Sequence, residues 1–451
     1  MRFSLITTSL FMGLLFSACQ KTVSERELFE TSPCFSQDHF SIGITDIYDY
    51  VRVQKGLERT KGDEISIEPY IVDRDTVLFL VNFEDGWELL SADRRAPKTF
   101  AMSDKGHFSF SGLSDVPPLH ALFDRFAQNI AILKRNPSIA ISDNFNDTWD
   151  TASIRSFDDD CELESETIIA ETDSIQNHLT ITRWGQGSPW NCRSPYSNSS
   201  LSTHCVTGCV PVAMAQLLYY LHDNNGYPTH AYGESSTTRY IPDGVSYIVL
   251  QPQDVSFDAT TYLTSTWNNM PLSSSDSGSF ASVSTLMTQL GLYVSAKYYT
   301  NMTSAYTSSI APALANYFSI SSIGSSLIDY QVIADQIYSE QMPVLLTISR
   351  VGGAHAVLAD ACKEHYQTVR RLYKRMKPIQ VGSLEFPYEY KFETSTEMTS
   401  RYLGINWGWN GAYMTSGGET VWFSTDAISW NVGYVYTSVD YMIYDFELIN
   451  N

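Results

Sequence analysis

Among its 451 residues the chain has no Cys-x-x-Cys pair, no His-Glu-x-x-His and no acidic calcium-loop pattern. The ligand spacings that structural zinc, catalytic zinc and calcium sites need are missing, so no metal and no cofactor is expected. Basic residues are scarce. Lys and Arg number 29 against 50 Asp and Glu, for a net charge of −21. Such a surface repels phosphate backbones, which excludes a nucleic-acid partner. No internal repeat is evident, and beyond the N-terminal residues no apolar run is long enough to span a bilayer. A full disulfide framework is excluded too. Setting aside Cys19 and Cys209, for reasons given below, leaves an odd number of the seven cysteines. Cys192 and Cys205 bracket a short Ser/Asn-rich loop and are the pair that an oxidising compartment could join.

What is present describes a globular protein with room for two to three domains: 43% hydrophobic residues, 13% aromatic, and 28 tyrosines. The N-terminus reads as a targeting segment. Arg2 supplies a short positive region, residues 5–16 an apolar core, and Ser17-Ala18 small residues before Cys19. A lipoprotein signal peptide over 1–18, with a lipid anchor on Cys19, is expected; plain secretory cleavage near Ala18 is the alternative. Either way the protein is exported, to the cell surface or periplasm, and release after maturation stays open.

Residues 19–150 read as a small α+β domain. Apolar runs at 76–83 and 87–91, joined at Glu84-Asp85-Gly86, predict a hairpin. Leu119, Leu122, Phe123, Phe126, Ile130 and Leu133 predict an amphipathic helix between Pro117-Pro118 and Asn136-Pro137. Residues 151–174 are polar and acidic, with Asp158-Asp159-Asp160 followed by Glu162, Glu164 and Glu166. That composition predicts a linker without regular structure, holding the maturation site. Residues 175–451 begin with helical patterns, at 210–221 and 281–290, and continue with strand patterns at 344–348, 355–359, 402–407 and 420–423. Helices first and strands second predict an α+β enzyme domain.

Four stretches carry candidate chemistry. Gly208-Cys209-Val210-Pro211 sets a cysteine at the start of a helical pattern, where the helix dipole favours the thiolate. Gly352-Gly353-Ala354-His355 puts a histidine at the head of an apolar strand, a candidate base. Asn406-Trp407-Gly408-Trp409 offers an amide or an indole to fix an imidazole tautomer. Gln186, between two glycines in Trp184-Gly185-Gln186-Gly187-Ser188-Pro189, is an adjustable amide donor for an oxyanion. Each has a plainer reading by itself: a small buried thiol, a satisfied core histidine, aromatic packing and a turn.

In this order the four motifs resemble the streptopain family of papain-like cysteine peptidases, and Trp267-Asn268-Asn269-Met270 is similar to a further signature of it. Leu90-Ser91-Ala92-Asp93-Arg94-Arg95-Ala96-Pro97 resembles part of the family's inhibitory prodomain. The resemblance implies a papain-like α+β fold with a helical half and an antiparallel strand-rich half, preceded by a prodomain that acts as an intramolecular inhibitor. It implies a zymogen that hydrolyses protein or peptide substrates. Cys209 would be the nucleophile, His355 the base, Gln186 an oxyanion donor, and Asn406 and Trp407 the neighbours of the imidazole.

Two features depart from the family. Ala354 separates the glycines from the histidine, and the stretch between His355 and Asn406 is long. The long stretch holds Arg370, Arg371, Lys374, Arg375 and Lys377 in an otherwise acidic chain. A solvated hairpin is expected there, with a docking surface for an acidic partner as the alternative. Two other functions keep the same motifs: an acyltransferase in which an amine replaces water, and a surface lipoprotein that binds polypeptides without cleaving them.

Overall fold

The computed structural model describes residues 40–54, 65–139, 161–227, 239–255, 264–350, 353–375, 379–381, 384–386, 389–411, 420–430 and 441–449. These all fall within the unit Phe40–Asn451, and the expected signal segment and Cys19 lie outside the described residues. The N-terminal region comprises helix α1 (Ile44–Gln54), strands β1 (Ser66–Val72), β2 (Asp75–Asn82), β3 (Trp87–Ser91) and β4 (Thr99–Ser103), and helix α2 (Pro117–Arg135). The hairpin forms as the sequence predicts, with Asn82 facing Trp87 across the Glu84-Asp85-Gly86 turn. Helix α2 starts on a proline, whose missing N–H costs nothing in a first turn, and buries all six residues of its apolar stripe.

Strand β5 (Cys161–Gln176) leads into the C-terminal part. Its helical half holds α3 (Cys209–Asn225), β6 (Tyr247–Val249), α4 (Thr264–Asn268), α5 (Phe280–Tyr293), β7 (Lys297–Tyr299), β8 (Thr303–Ser304), α6 (Ile310–Phe318), β9 (Ile320–Ser325) and α7 (Tyr330–Tyr338). The strand-rich half follows: β10 (Val344–Arg350), β11 (Gly353–Arg375), β12 (Ile379–Val381), β13 (Leu384–Phe386), β14 (Glu389–Asn406), β15 (Trp422–Ser424), α8 (Thr425–Ser429) and β16 (Tyr441–Leu448). The sheet order is β1-β2-β3-β4-β15-β14-β11-β10-β16-β9, with β5 added beside β11. The four N-terminal strands therefore continue the sheet of the strand-rich half through the β4–β15 pairing, where Met102 faces Trp422.

Side-chain alternation splits the core into two layers. Val344, Leu346 and Ile348 of β10 and Val357 and Ala359 of β11 pack with α2 and Phe100 on one face. Leu345, Ala356 and Leu358 pack with α3 and α5 on the other. Successive residues of a strand point to opposite faces, so a strand covered on both sides reads as an unbroken apolar run. That is the pattern of 344–346 and 356–359.

The linker expectation is corrected over residues 161–174. These residues form β5, in antiparallel register with β11 from Arg375↔Cys161 to Cys362↔Gln176. With β14 on its other side, β11 becomes the middle of a three-stranded arm. The acidic residues of β5 and the basic residues of the long insertion meet there. Arg371 pairs with Glu166 at 2.6 Å and with Glu397 at 2.5 Å, and Lys374 pairs with Glu164 at 3.0 Å. The basic stretch is thus a hairpin strand whose acidic partner is the chain's own β5. Composition marked both segments as charged; only pairing across more than 190 residues gave them structure. Residues 151–160 and Lys377 lie outside the described residues.

Candidate active site

Cys209 is the first residue of α3, and its neighbour Gly208 sets the approach. Gly208 has φ +94°, and a Cβ there would come within 2.9 Å of the Thr303 side chain. A side chain is excluded twice over, by conformation and by contact. The Thr303 hydroxyl donates to the Val206 carbonyl at 2.6 Å, which ties the strand next to this glycine. Val210, Val212, Ala213, Met214, Leu217 and Leu218 anchor α3 in the helical-half core, while Cys209 itself stays half-buried. The N–H groups of this first turn lie at the positive end of the helix dipole.

The other described thiols are separated from Cys209 by environment. Burial pushes the Cys205 thiol up to about 11 and the Cys362 thiol up to about 12, so both stay protonated and unreactive at neutral pH. Cys192 is exposed, and no disulfide joins it to Cys205.

His355 is buried near the start of β11, opposite Ile348. Its Nε2 lies 2.9 Å from the Trp407 main-chain carbonyl. A carbonyl only accepts, so Nε2 carries the proton and Nδ1 is the basic nitrogen of the neutral ring. The Trp407 ring lies near-parallel to the imidazole at 6.3 Å and meets Phe423 edge-on at 5.4 Å. Trp407 thus holds the imidazole through its backbone. Its indole Nε1 is buried and has no hydrogen-bond partner among the described residues.

Asn406 makes no hydrogen bond to the imidazole among the described residues. Its Oδ1 accepts the Gly408 N–H at 3.1 Å, and its Nδ2 donates to the Thr182 carbonyl at 3.0 Å. Gln216, on α3, donates to the same Thr182 carbonyl at 3.0 Å. A shared acceptor therefore couples the cysteine helix to the segment that holds the histidine. Gly408 has φ +62°, and a Cβ on it would meet the Val212 side chain at 2.9 Å, one turn from Cys209.

Gln186 sits in the segment before α3. Its carbonyl accepts the Thr207 N–H at 2.9 Å, two residues ahead of Cys209, and its side-chain amide has no hydrogen-bond partner among the described residues. Trp184 and Trp190 frame this loop: their indoles donate to the Pro271 carbonyl and to Asn410 Oδ1, both at 2.7 Å. Asn410 also donates its N–H to the Trp184 carbonyl at 3.2 Å. The glutamine loop, the cysteine helix and the turn after β14 are hence laced together.

The peptidase C10 family model matches residues 184–415, from Trp184 through the turn after β14. The chain belongs to the peptidase C10 family. Streptopain from Streptococcus pyogenes is 25% identical over 359 residues, covering 73% of this chain and 81% of the relative, and the serotype M1 form of streptopain matches to the same extent. A solved fragment of Prevotella intermedia prointerpain A is 16% identical with a TM-score of 0.49, covering 84% of this chain and 98% of that one. The enzyme is a cysteine endopeptidase, and its helical half against an antiparallel strand-rich half is the α+β architecture expected of it.

Three residues around Asn406 were not singled out from the sequence: Thr182, Thr180, which accepts from Asn406 Nδ2 at 3.1 Å, and Asp360, whose carboxylate accepts the Thr180 N–H at 3.0 Å. All are buried and polar. Asp360 carried a signal, a carboxylate ending the apolar run 356–359. Two alternate threonines in a turn-rich segment carried none.

Proposed function

We propose that this C10 peptidase is an exported zymogen in which Cys209 is the nucleophile, His355 the general base, and Gln186 with the Cys209 N–H the oxyanion donors. The hydrogen bond from His355 Nε2 to Trp407 carries the proposal, because it leaves Nδ1 as the nitrogen that takes a thiol proton. Sulfur then bonds to the scissile carbonyl carbon while the carbonyl π pair moves onto oxygen. The uncommitted Gln186 amide and the first N–H of α3 receive that charge. The imidazolium protonates the departing amine, and the C–N bond breaks. Water, deprotonated by the same Nδ1, attacks the thioester; the acid leaves and the thiol is restored.

Residues 19–150 act in this proposal as the inhibitory prodomain, in cis. Several contacts support it. Arg125 donates to the Ile428 carbonyl at 2.7 Å, Ser103 to the Thr420 carbonyl at 3.1 Å, and Asp104 pairs with Lys363 at 2.8 Å. Phe100 and Phe126 share one buried cluster with Trp407 and Phe423, so the region is part of the same core as the residue that holds the imidazole. Substrates are polypeptides, and the membrane is met only through a lipid on Cys19.

The test is full-length protein incubated with casein, as wild type, as Cys209→Ala and after thiol alkylation. Fragments from wild type alone are expected. Cross-linked casein would indicate acyl transfer to amines, and inert wild type a binding protein. Cys209→Ala is expected to stay full length; processing of that variant expressed alone would show that another protease matures the enzyme.

A further inference from the structure

The hydrogen bonds behind His355 all run in one direction and end on a carboxylate. The Trp407 carbonyl that accepts from His355 Nε2 at 2.9 Å and the Gly408 N–H that donates to Asn406 Oδ1 at 3.1 Å are two ends of one peptide group. Asn406 Nδ2 then donates to the Thr180 hydroxyl oxygen at 3.1 Å. The Thr180 hydroxyl spends its own proton on Asp360 Oδ2, a short contact, and the Thr180 N–H donates to the same oxygen at 3.0 Å. Asp360 is 0% exposed. Its other oxygen accepts from His178 Nδ1 at 2.7 Å.

A fully buried carboxylate is costly unless every lone pair is used, and here the bonds that use it lead toward the imidazole. Within such a chain each acceptor is made more electron-rich by the proton it donates onward, so the bonds strengthen one another. The negative end at Asp360 makes the Trp407 carbonyl a better acceptor for the His355 Nε2–H and so fixes the orientation of the ring. The orientation of the Asn406 amide follows from the same chain. Both of its N–H groups are committed, to Thr180 and to the Thr182 carbonyl, so its oxygen can only face Gly408.

We propose that Asp360 and Thr180 are positioning residues for His355, acting through Asn406 and the Trp407–Gly408 peptide. No proton moves along the chain; it orients and polarises. The proposal rests on His355 being the catalytic base. It places a carboxylate behind the imidazole, four hydrogen bonds away, in a site whose histidine has no acid side chain bonded to it among the described residues.

Thr180→Val removes the hydroxyl at nearly constant volume, and Thr180→Ser restores it. Both are made in the full-length chain, with Asp360→Asn and His355→Ala alongside. Turnover of a fluorogenic peptide is normalised to sites titrated by thiol alkylation. For Thr180→Val, kcat is expected to fall about 10-fold with KM within about 2-fold, a part of the roughly 100- to 10,000-fold that general acid–base catalysis supplies. Thr180→Ser should recover most of it, and Asp360→Asn should resemble Thr180→Val. As a readout free of turnover, the imidazole nitrogen resonances of His355 in full-length Cys209→Ala should shift when Thr180→Val is added. Unchanged kcat and unchanged resonances in folded Thr180→Val would overturn the proposal while His355→Ala stays inactive. An active His355→Ala would instead remove the assignment beneath it.

Discussion

Lys363 of β11 lies 2.8 Å from Asp104, joining the catalytic sheet to the end of β4, the last strand of the N-terminal region. The lysine side chain is 5% exposed, and its second partner is Asp173 of β5 at 3.1 Å. One buried cation therefore holds two carboxylates from two other segments, and removing it would leave those carboxylates facing each other. Lys363→Met keeps the apolar stem and deletes the charge. Activity from full-length protein is expected to appear several-fold faster in this variant, a loss of about 1 kcal/mol at the interface. Time courses of peptide hydrolysis would measure it; an unchanged lag would mean that the apolar contacts of Phe100 and Phe126 hold the proposed prodomain without help.

The same cluster makes β5 sensitive to acid. Burial alone would push the Asp173 carboxyl up, but hydrogen bonds from His365 and Lys363 outweigh it and hold the group below its usual range. A carboxyl lowered on folding stabilises the fold above its unfolded pKa, about 3.9 for Asp, and that contribution is lost as pH falls through the folded value. Hydrogen exchange at β5 amides in full-length Cys209→Ala should therefore be slow and flat above pH 5, after correction for intrinsic rates, and accelerate below about pH 4. Asp173→Asn should remove most of that acid step. A step that persists unchanged in this variant would assign it to other carboxylates of the arm.

Gly408 lies between the two halves of the site, and its lack of a side chain has a measurable consequence. Gly408→Ala would combine a left-handed backbone with a Cβ at 2.9 Å from Val212. The conformational part alone costs about 1–2 kcal/mol, and the contact must push the Trp407–Gly408 peptide away from α3. Lower thermal stability and a kcat reduced by at least about 10-fold are expected, since sub-ångström placement of a catalytic group controls rate. A variant that loses stability yet keeps kcat would show that this peptide tolerates displacement.

Much of this was legible in the sequence where the signal was local. The hairpin at 84–86, the helix after Pro117 and the cysteine at the head of α3 each depend on residues within one turn or one strand. The partner of His355 was half legible: Asn406 and Trp407 were expected beside it, and the hydrogen bond comes from the Trp407 backbone carbonyl, which no side-chain identity announces. The arm was misread because its order is non-local. Glu164 and Glu166 look like a solvated linker until Lys374 and Arg371 are found opposite them. Thr180 escaped notice for a related reason, since its role depends on Asp360, 180 residues away.

Gln186 offers the sharpest separation of chemistry from structure in the proposed mechanism. Its main chain is tied to Thr207 at 2.9 Å, so the loop stays in place when the side chain is shortened. Its amide holds up no other described group, so Gln186→Ala should leave thermal stability within about 0.5 kcal/mol of wild type. An oxyanion exists only once sulfur has added to the carbonyl; alkylation of Cys209 by a haloacetamide passes through no such species. Peptide turnover is therefore expected to drop by roughly 10- to 1,000-fold while the alkylation rate stays within about 2-fold. Equal losses in both reactions would mean that Gln186 shapes the thiolate rather than the oxyanion. Unchanged turnover would take it out of the site and leave the α3 N-terminus to carry the developing charge.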